Sequence, residues 1–498
     1  MKPRQQGPEA RREEHEHERV HVRERGRGKH VEPIALTGRV SETPLTAERA
    51  GTSARCVVVS TKVRIALALC ALLLVAAAAG CSGDKKTGPA TAPPDLPRGT
   101  VLGIVWRGNE AVLQRFDRTA LTPRPARVPL GQSGGTWTFS PANAKLAVAG
   151  GSPLEVRIVD VRRLRLEEVV TLPANLVRPP AEPAVIGLAW RTNRRILALV
   201  EWGAWHHSVV VVDPVEHRAV SHETVDGTLV GYAPTDDGLA LLLAPVGRIG
   251  STRLLLMDRD GETESIPLSG IHGGLETVDA DQAVTRVQIP ALALAPTGRR
   301  ALVVPAAGDV AEIDLVSGRV VSRALHEPVS LLGRVRSWLE PTAEGKASAG
   351  TERQAAWVGD HLVAVTGQDH RLVNGHDEQE TRPAGLTLID VRDWSLRVLD
   401  ERASQFSVAA GTLLAYGISG SSATQETIGM GLTAYGLDGE ERFHLFGDEP
   451  IYFVETANPL AYVWRDGASP AVVDLRSGSV VGGLDRYRGE DLPALVVP

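Results

Sequence analysis

The sequence predicts an all-β chain, and three observations carry that prediction. Beyond residue 98 the chain breaks into short β-branched and aliphatic runs separated by turn residues, the pattern of strands and not of long helices. An apolar run closing on aspartate recurs at residues 113–117, 156–160, 210–213, 254–258, 311–314, 386–390 and 471–474, with a degenerate copy at 432–436. A second element, two apolar runs around a polar turn, stands at residues 137–148, 231–242 and 293–304. Each element reads as a hairpin, so one unit supplies a four-stranded antiparallel blade. Units averaging roughly 48 residues fit the period of radial repeats. The expected architecture is therefore a β-propeller, with eight blades preferred and seven the alternative, because the sixth unit is long and the seventh degenerate.

Taken in order, the first unit offers strands at Val101 to Arg107, Ala111 to Asp117 and Ala126 to Leu130 but lacks an innermost strand. Residues 491–497 follow the last outer strand and can fill that place. Joining the two ends of the domain in one blade closes the ring and removes its open edges. The recurring aspartates read as turn formers, followed by Val316-Ser317-Gly318-Arg319 or Arg476-Ser477-Gly478-Ser479. A carboxylate there caps its own backbone and glycine takes positive φ. A catalytic carboxylate would not recur in seven of eight units.

On these residues the chain resembles a known family. The pairing of Ala293-Leu294-Ala295-Pro296-Thr297-Gly298 with Glu312-Ile313-Asp314-Leu315-Val316-Ser317-Gly318 is similar to YVTN-type and other WD40-like bacterial propellers. The resemblance spans residues 99–498 and implies a fold more than an activity. Lactonases and quinone- or metal-dependent dehydrogenases occur among such propellers, yet no motif of theirs matches here position by position.

Upstream of the repeats, Lys62 and Arg64 precede an apolar stretch from Ile65 to Ala79 that ends at Ala78-Ala79-Gly80-Cys81. About 15 apolar residues after a basic flank make an export signal, whereas a membrane span needs roughly 20. The last four residues resemble the lipobox of bacterial lipoproteins, with alanine at 78 where that family more often has leucine. The resemblance implies that Cys81 carries lipid and begins the mature chain. Residues 1–58 are charged and poor in apolar groups, which predicts disorder. Initiation at one of Val57, Val58 or Val59 would leave Ser60-Thr61-Lys62-Val63-Arg64 as an ordinary signal start. The expected organisation is thus a charged segment over 1–58, a signal over 59–81, a proline-rich flexible tether over 82–98 and the propeller over 99–498.

Charge and cysteine usage narrow the function. Rare lysine with abundant arginine, alanine, glycine and valine resembles the output of a GC-rich bacterial genome. The formal net charge of −6 falls to about −11 once residues 1–81 are removed. An acidic domain argues against nucleic acid, and its membrane affinity would come from lipid. Cys56 and Cys70 lie upstream of Cys81, and no cysteine follows it. Disulfides within the mature chain, thiolate metal centres and cysteine nucleophiles are excluded, and a domain of roughly 400 residues is large enough to stand on core burial.

The long segments fall at residues 201–208, 270–288, 326–354, 367–384 and 417–430, all read as loops on one face of the ring. Insertions gathered on one face build a binding surface. Trp202, Trp205, His206 and His207 form an aromatic loop suited to anchoring a sugar, peptide or protein, or its two indoles cap the core. His370, Arg371 and His376, with Asp369, Asp377 and Glu378, offer ligands for a divalent ion, while their irregular spacing favours a solvated polar loop. Leu331, Leu332, Val335, Trp338 and Leu339 share one helical face. No nucleophile elbow, His-Glu-x-x-His, phosphate loop or dinucleotide fingerprint is present, so no catalytic residue, metal or cofactor is assigned. The sequence reads as an exported, lipid-anchored propeller that binds an extracytoplasmic protein or small ligand. The alternatives are a propeller enzyme, lactonase-like or dependent on a metal in the central funnel, and a scaffold subunit of an envelope complex. Two or more of His206, His207, His272, His370 and His376 meeting a carboxylate at the channel would favour the enzyme.

Overall fold

The chain divides into Met1–Val58 and Val59–Pro498. The computed structural model describes residues 99–496, apart from 151–153, 174–182, 193, 203–205, 278–283, 327–347, 374–377, 422–425 and 484–492. Cys81, Trp205, Trp338, His376, the helical face at 331–339 and the tether therefore lie outside the described residues.

Each stretch of chain lays down antiparallel strands. The first comprises β1 (Thr100–Arg107), β2 (Glu110–Asp117) and β3 (Pro123–Gly131). The second is β4 (Thr136–Phe139), β5 (Lys145–Ala149), β6 (Glu155–Asp160) and β7 (Arg165–Thr171). The third is β8 (Ala184–Thr192), β9 (Arg195–Glu201), β10 (His206–Asp213) and β11 (Arg218–Asp226). Next come β12 (Thr228–Pro234), β13 (Gly238–Ala244), β14 (Gly250–Asp258), the long β15 (Thr263–Thr277) and β16 (Val284–Ile289). They are followed by β17 (Ala291–Leu294), β18 (Arg300–Val304), β19 (Val310–Asp314) and β20 (Val320–Arg323). Then stand β21 (Ser348–Trp357), β22 (Leu362–Val373), β23 (Glu378–Pro383), β24 (Leu386–Asp390) and β25 (Ser395–Asp400). After them run β26 (Gln405–Ala409), β27 (Thr412–Tyr416), β28 (Ile418–Ser421), β29 (Glu426–Gly429), β30 (Leu432–Gly436) and β31 (Glu441–Leu445). The chain ends with β32 (Ile451–Ala457), β33 (Leu460–Arg465), β34 (Ala471–Asp474), β35 (Ser479–Gly483) and β36 (Ala494–Val496).

The result is an all-β propeller of four-stranded antiparallel blades. Six blades are discrete sheets, not the eight or seven expected. The remaining strands join one twelve-stranded sheet, in which β12 to β15 and the set β21, β22, β24 and β25 are linked through β16 and extended by β23, β28 and β29. The cause is pairing between insertions: β15 turns back along β16, β16 runs parallel to β21, and β23 pairs β28. Among the described residues, the segments expected as loops are thus largely strands.

The C-terminal strand closes the first sheet, with Leu102 opposite Val496 and Ile104 opposite Ala494. Second strands are covered on both sides by neighbouring blades, so they read as continuous apolar runs; every residue of β13 is buried. Outer strands are polar, as in β3 and β11. The core accordingly lies between blades: Leu102, Ile104 and Leu113 pack on Leu146, Val148 and Val159 of the second sheet. Fully burying each such side chain stabilises by about 1.5–3 kcal/mol.

The repeated aspartates cap turns. Asp314 Oδ1 accepts the backbone N–H groups of Val316 (3.0 Å) and Ser317 (2.9 Å), and Asp117, Asp213 and Asp474 do likewise. The Ser317 N–H, then its hydroxyl and the Val316 N–H, hold the Asp314 carboxyl below its ordinary value. Gly318 follows with φ 68°, a conformation that a Cβ would strain.

Candidate functional site: the hairpin face

Antiparallel pairing puts the first-to-second and third-to-fourth turns of each blade on one face and the other connections on the opposite one. Every insertion belongs to the second set. The chain enters on the short-turn face, where Gly99 O accepts the N–H of Arg118 at the turn after β2.

On the hairpin face, β9 and β10 bring Glu201, Trp202, His206, His207 and Ser208 together. The Trp202 ring stacks on His206 at 4.6 Å and donates its indole N–H to Ser208 Oγ at 3.1 Å. Trp202 is buried and His206 exposed, so the indole caps the strand ends and the imidazole is the ring presented. His207 is 3 % exposed and its Nδ1 has no hydrogen-bond partner. Burial pushes its pKa down to about 4, against the Gly227 carbonyl, which favours the charged form. Burial also raises Glu201, whose Oε1 lies 3.8 Å from His207 Nε2.

A second cluster spans β21, β22 and β23. His370 pairs Thr381 across the strands, its Nδ1 3.1 Å from Thr381 Oγ1 and its Nε2 3.6 Å from Glu352 Oε1. Alternation sends Asp369 to the other side of β22, where its Oδ1 stands 2.8 Å from Nη1 of Arg353. The Arg353 side chain is 1 % exposed, and it also donates to the carbonyls of Glu352 and Gln368. Arg371 lies on that side too, opposite Glu380, which pairs Arg382 at 2.9 Å. Asp369 and His370 therefore cannot converge on one ion. Among the described residues no three His, Cys, Asp or Glu side chains gather closely enough to hold a metal. His272 is exposed on β15 and is not among these groups.

Sequence reasoning missed Arg353, Glu352 and Thr381. In the sequence Glu352 and Arg353 are merely adjacent charges and Thr381 a lone hydroxyl; the pairing of β21 with β22 and of β22 with β23 sets them beside Asp369 and His370. It also missed the exposed Trp106 and Tyr452 on the same face.

No protein-family profile and no curated protein matches the chain. Solved structures similar to it include the dihydro-heme d1 dehydrogenase NirN in complex with DHE, at 14 % identity over 82 % of this chain and 76 % of that one, with a TM-score of 0.46. Apo AztD from Citrobacter koseri matches at 13 % identity over 79 % and 96 %, TM-score 0.41. BamB from Moraxella catarrhalis matches at 9 % over 72 % and 92 %, TM-score 0.38. None reaches a TM-score of 0.5, and the propeller assignment rests on the strand pairings themselves.

Proposed function

We propose that the chain is an exported propeller, anchored by lipid on Cys81, that binds an extracytoplasmic protein through its hairpin face. One observation carries this reading: β15–β16, β22–β23 and β28–β29 all rise from one face and are stitched into a single sheet with β21. Ordering that much polar backbone costs conformational entropy of about 1–2 kcal/mol per residue, and a loop without a role needs no such order. The tether leads into β1 from the opposite face, so a surface held by Cys81 leaves the hairpins accessible. Paired charges and exposed aromatics on that face suit a protein partner, with steering by charge and anchoring by rings.

The test shortens β22–β23 by replacing residues 368–383 with a two-residue turn; the pairing of Leu362–Val365 with Asp390–Thr387 keeps the blade. Affinity capture from the envelope fraction should then lose a partner that the full chain recovers. Recovery of the same partner by the shortened chain contradicts the proposal.

A further inference from the structure

On the opposite face, the turns of the last two discrete blades enclose a cleft of about 440 Å³, within the size range of small-ligand sites. Phe443, Pro459 and Leu475 form its apolar part, and the rest of its lining is polar. Phe443 closes on the turn at Gly478, where a Cβ would stand 2.6 Å from the ring. The rim carries Arg442, Arg476 and Ser477. Arg442 Nη1 donates to the buried Thr412 Oγ1 at 2.5 Å, which fixes that guanidinium beside the opening. Among the described residues neither Arg442 nor Arg476 pairs with a carboxylate, although Asp474 stands two residues from Arg476 and spends its Oδ1 on the Arg476 backbone N–H. Ser477 Oγ lies 2.6 Å from Ser479 Oγ, and whichever hydroxyl donates, Ser477 keeps at least one lone pair.

Two guanidinium groups that form no ion pair among the described residues, beside apolar side chains, are complementary to an oxyanion on an apolar body. Guanidinium groups take phosphate or carboxylate through parallel N–H bonds, and the walls take the ring or chain attached to it. We propose that this cleft is a binding site for a small organic oxyanion, a phosphate monoester or a carboxylate. The site is separate from the hairpin face and stands whether or not that face binds a protein.

Calorimetric titration of the full chain with phenyl phosphate, benzoate and phenol tests it. At least one of the two anions should bind, more weakly as salt rises, with phenol at least tenfold weaker; the tighter anion identifies the head group. Arg476→Gln should weaken that anion tenfold or more while leaving the melting temperature unchanged, because its side chain makes no hydrogen bond or ion pair among the described residues. Arg442→Gln should weaken it similarly, and any loss of stability there reflects the Thr412 bond and leaves the Arg476 result decisive. Absence of anion binding at millimolar concentration, equal binding of phenol, or affinity unmoved by Arg476→Gln overturns the proposal.

Discussion

The backbone N–H of Leu495 donates to Glu455 Oε2 at 2.8 Å, so a carboxyl on the innermost strand of the last blade holds the three-residue strand that closes the ring. Glu455 is 9 % exposed. Burial raises its pKa well above 4.5, only partly offset by the Leu495 N–H. Burial also pushes the neighbouring Tyr416 and Tyr462 up to about 12, so neither supplies charge near neutrality. An acid with a raised folded pKa binds its proton more tightly folded than unfolded. Its stabilisation is full below 4.5 and declines as pH climbs from there towards the folded value. Thermal melts should show Glu455→Gln flattening that decline and exceeding the native chain in stability at pH 8, since the amide oxygen still accepts the Leu495 N–H.

Removing residues 492–498 should destabilise the domain sharply. Leu495 and Val496 are each 1 % exposed, and losing both side chains forfeits roughly 3–6 kcal/mol of burial. Hydrogen exchange should rise in β1 and in β33, whose Tyr462 packs in the same cluster as Leu495. Unchanged melting and exchange would show that β36 does not hold the ring.

His207 works in the opposite sense to Glu455. Its folded pKa is depressed to about 4 from 6.5, so its contribution is complete above 6.5 and is lost as pH falls towards 4. A shift of that size corresponds to about 3 kcal/mol. NMR titration should find the His207 ring neutral at pH 6, and His207→Phe should reduce the acid sensitivity of melting between pH 6.5 and 4.

The proposed lipid attachment would make Cys81 indispensable for anchoring. In the source cell, Cys81→Ser should abolish incorporation of labelled palmitate and leave the unprocessed precursor; full labelling of that variant would remove the lipoprotein reading.

The repeated units were legible because each hairpin is local: Asp314, Val316, Ser317 and Gly318 write a whole turn in five residues. The closing strand was legible because the first unit lacked one. The insertions were not. Residues 368–371 and 378–382 are polar and poor in β-branched side chains, so no apolar period marks them as strands, and the pairings that stitch the hairpins together, β16 with β21 and β23 with β28, join segments far apart in sequence. That same non-local pairing joins the fourth and sixth units into one sheet and lowers the number of discrete blades to six. Trp202 was legible as an aromatic that either anchors a partner or caps the core, and its bond to Ser208 across the hairpin end, with its burial, fits the cap.

Photo-crosslinking in the source cell separates the two faces of the ring. A photoreactive residue at Arg382, an exposed position on β23, is compared with one at Val316, on a short turn and 76 % exposed. The hairpin-face reading predicts a discrete adduct with one envelope protein from position 382 and none from 316. Adducts from 316 alone, or the same adduct from both, would contradict it.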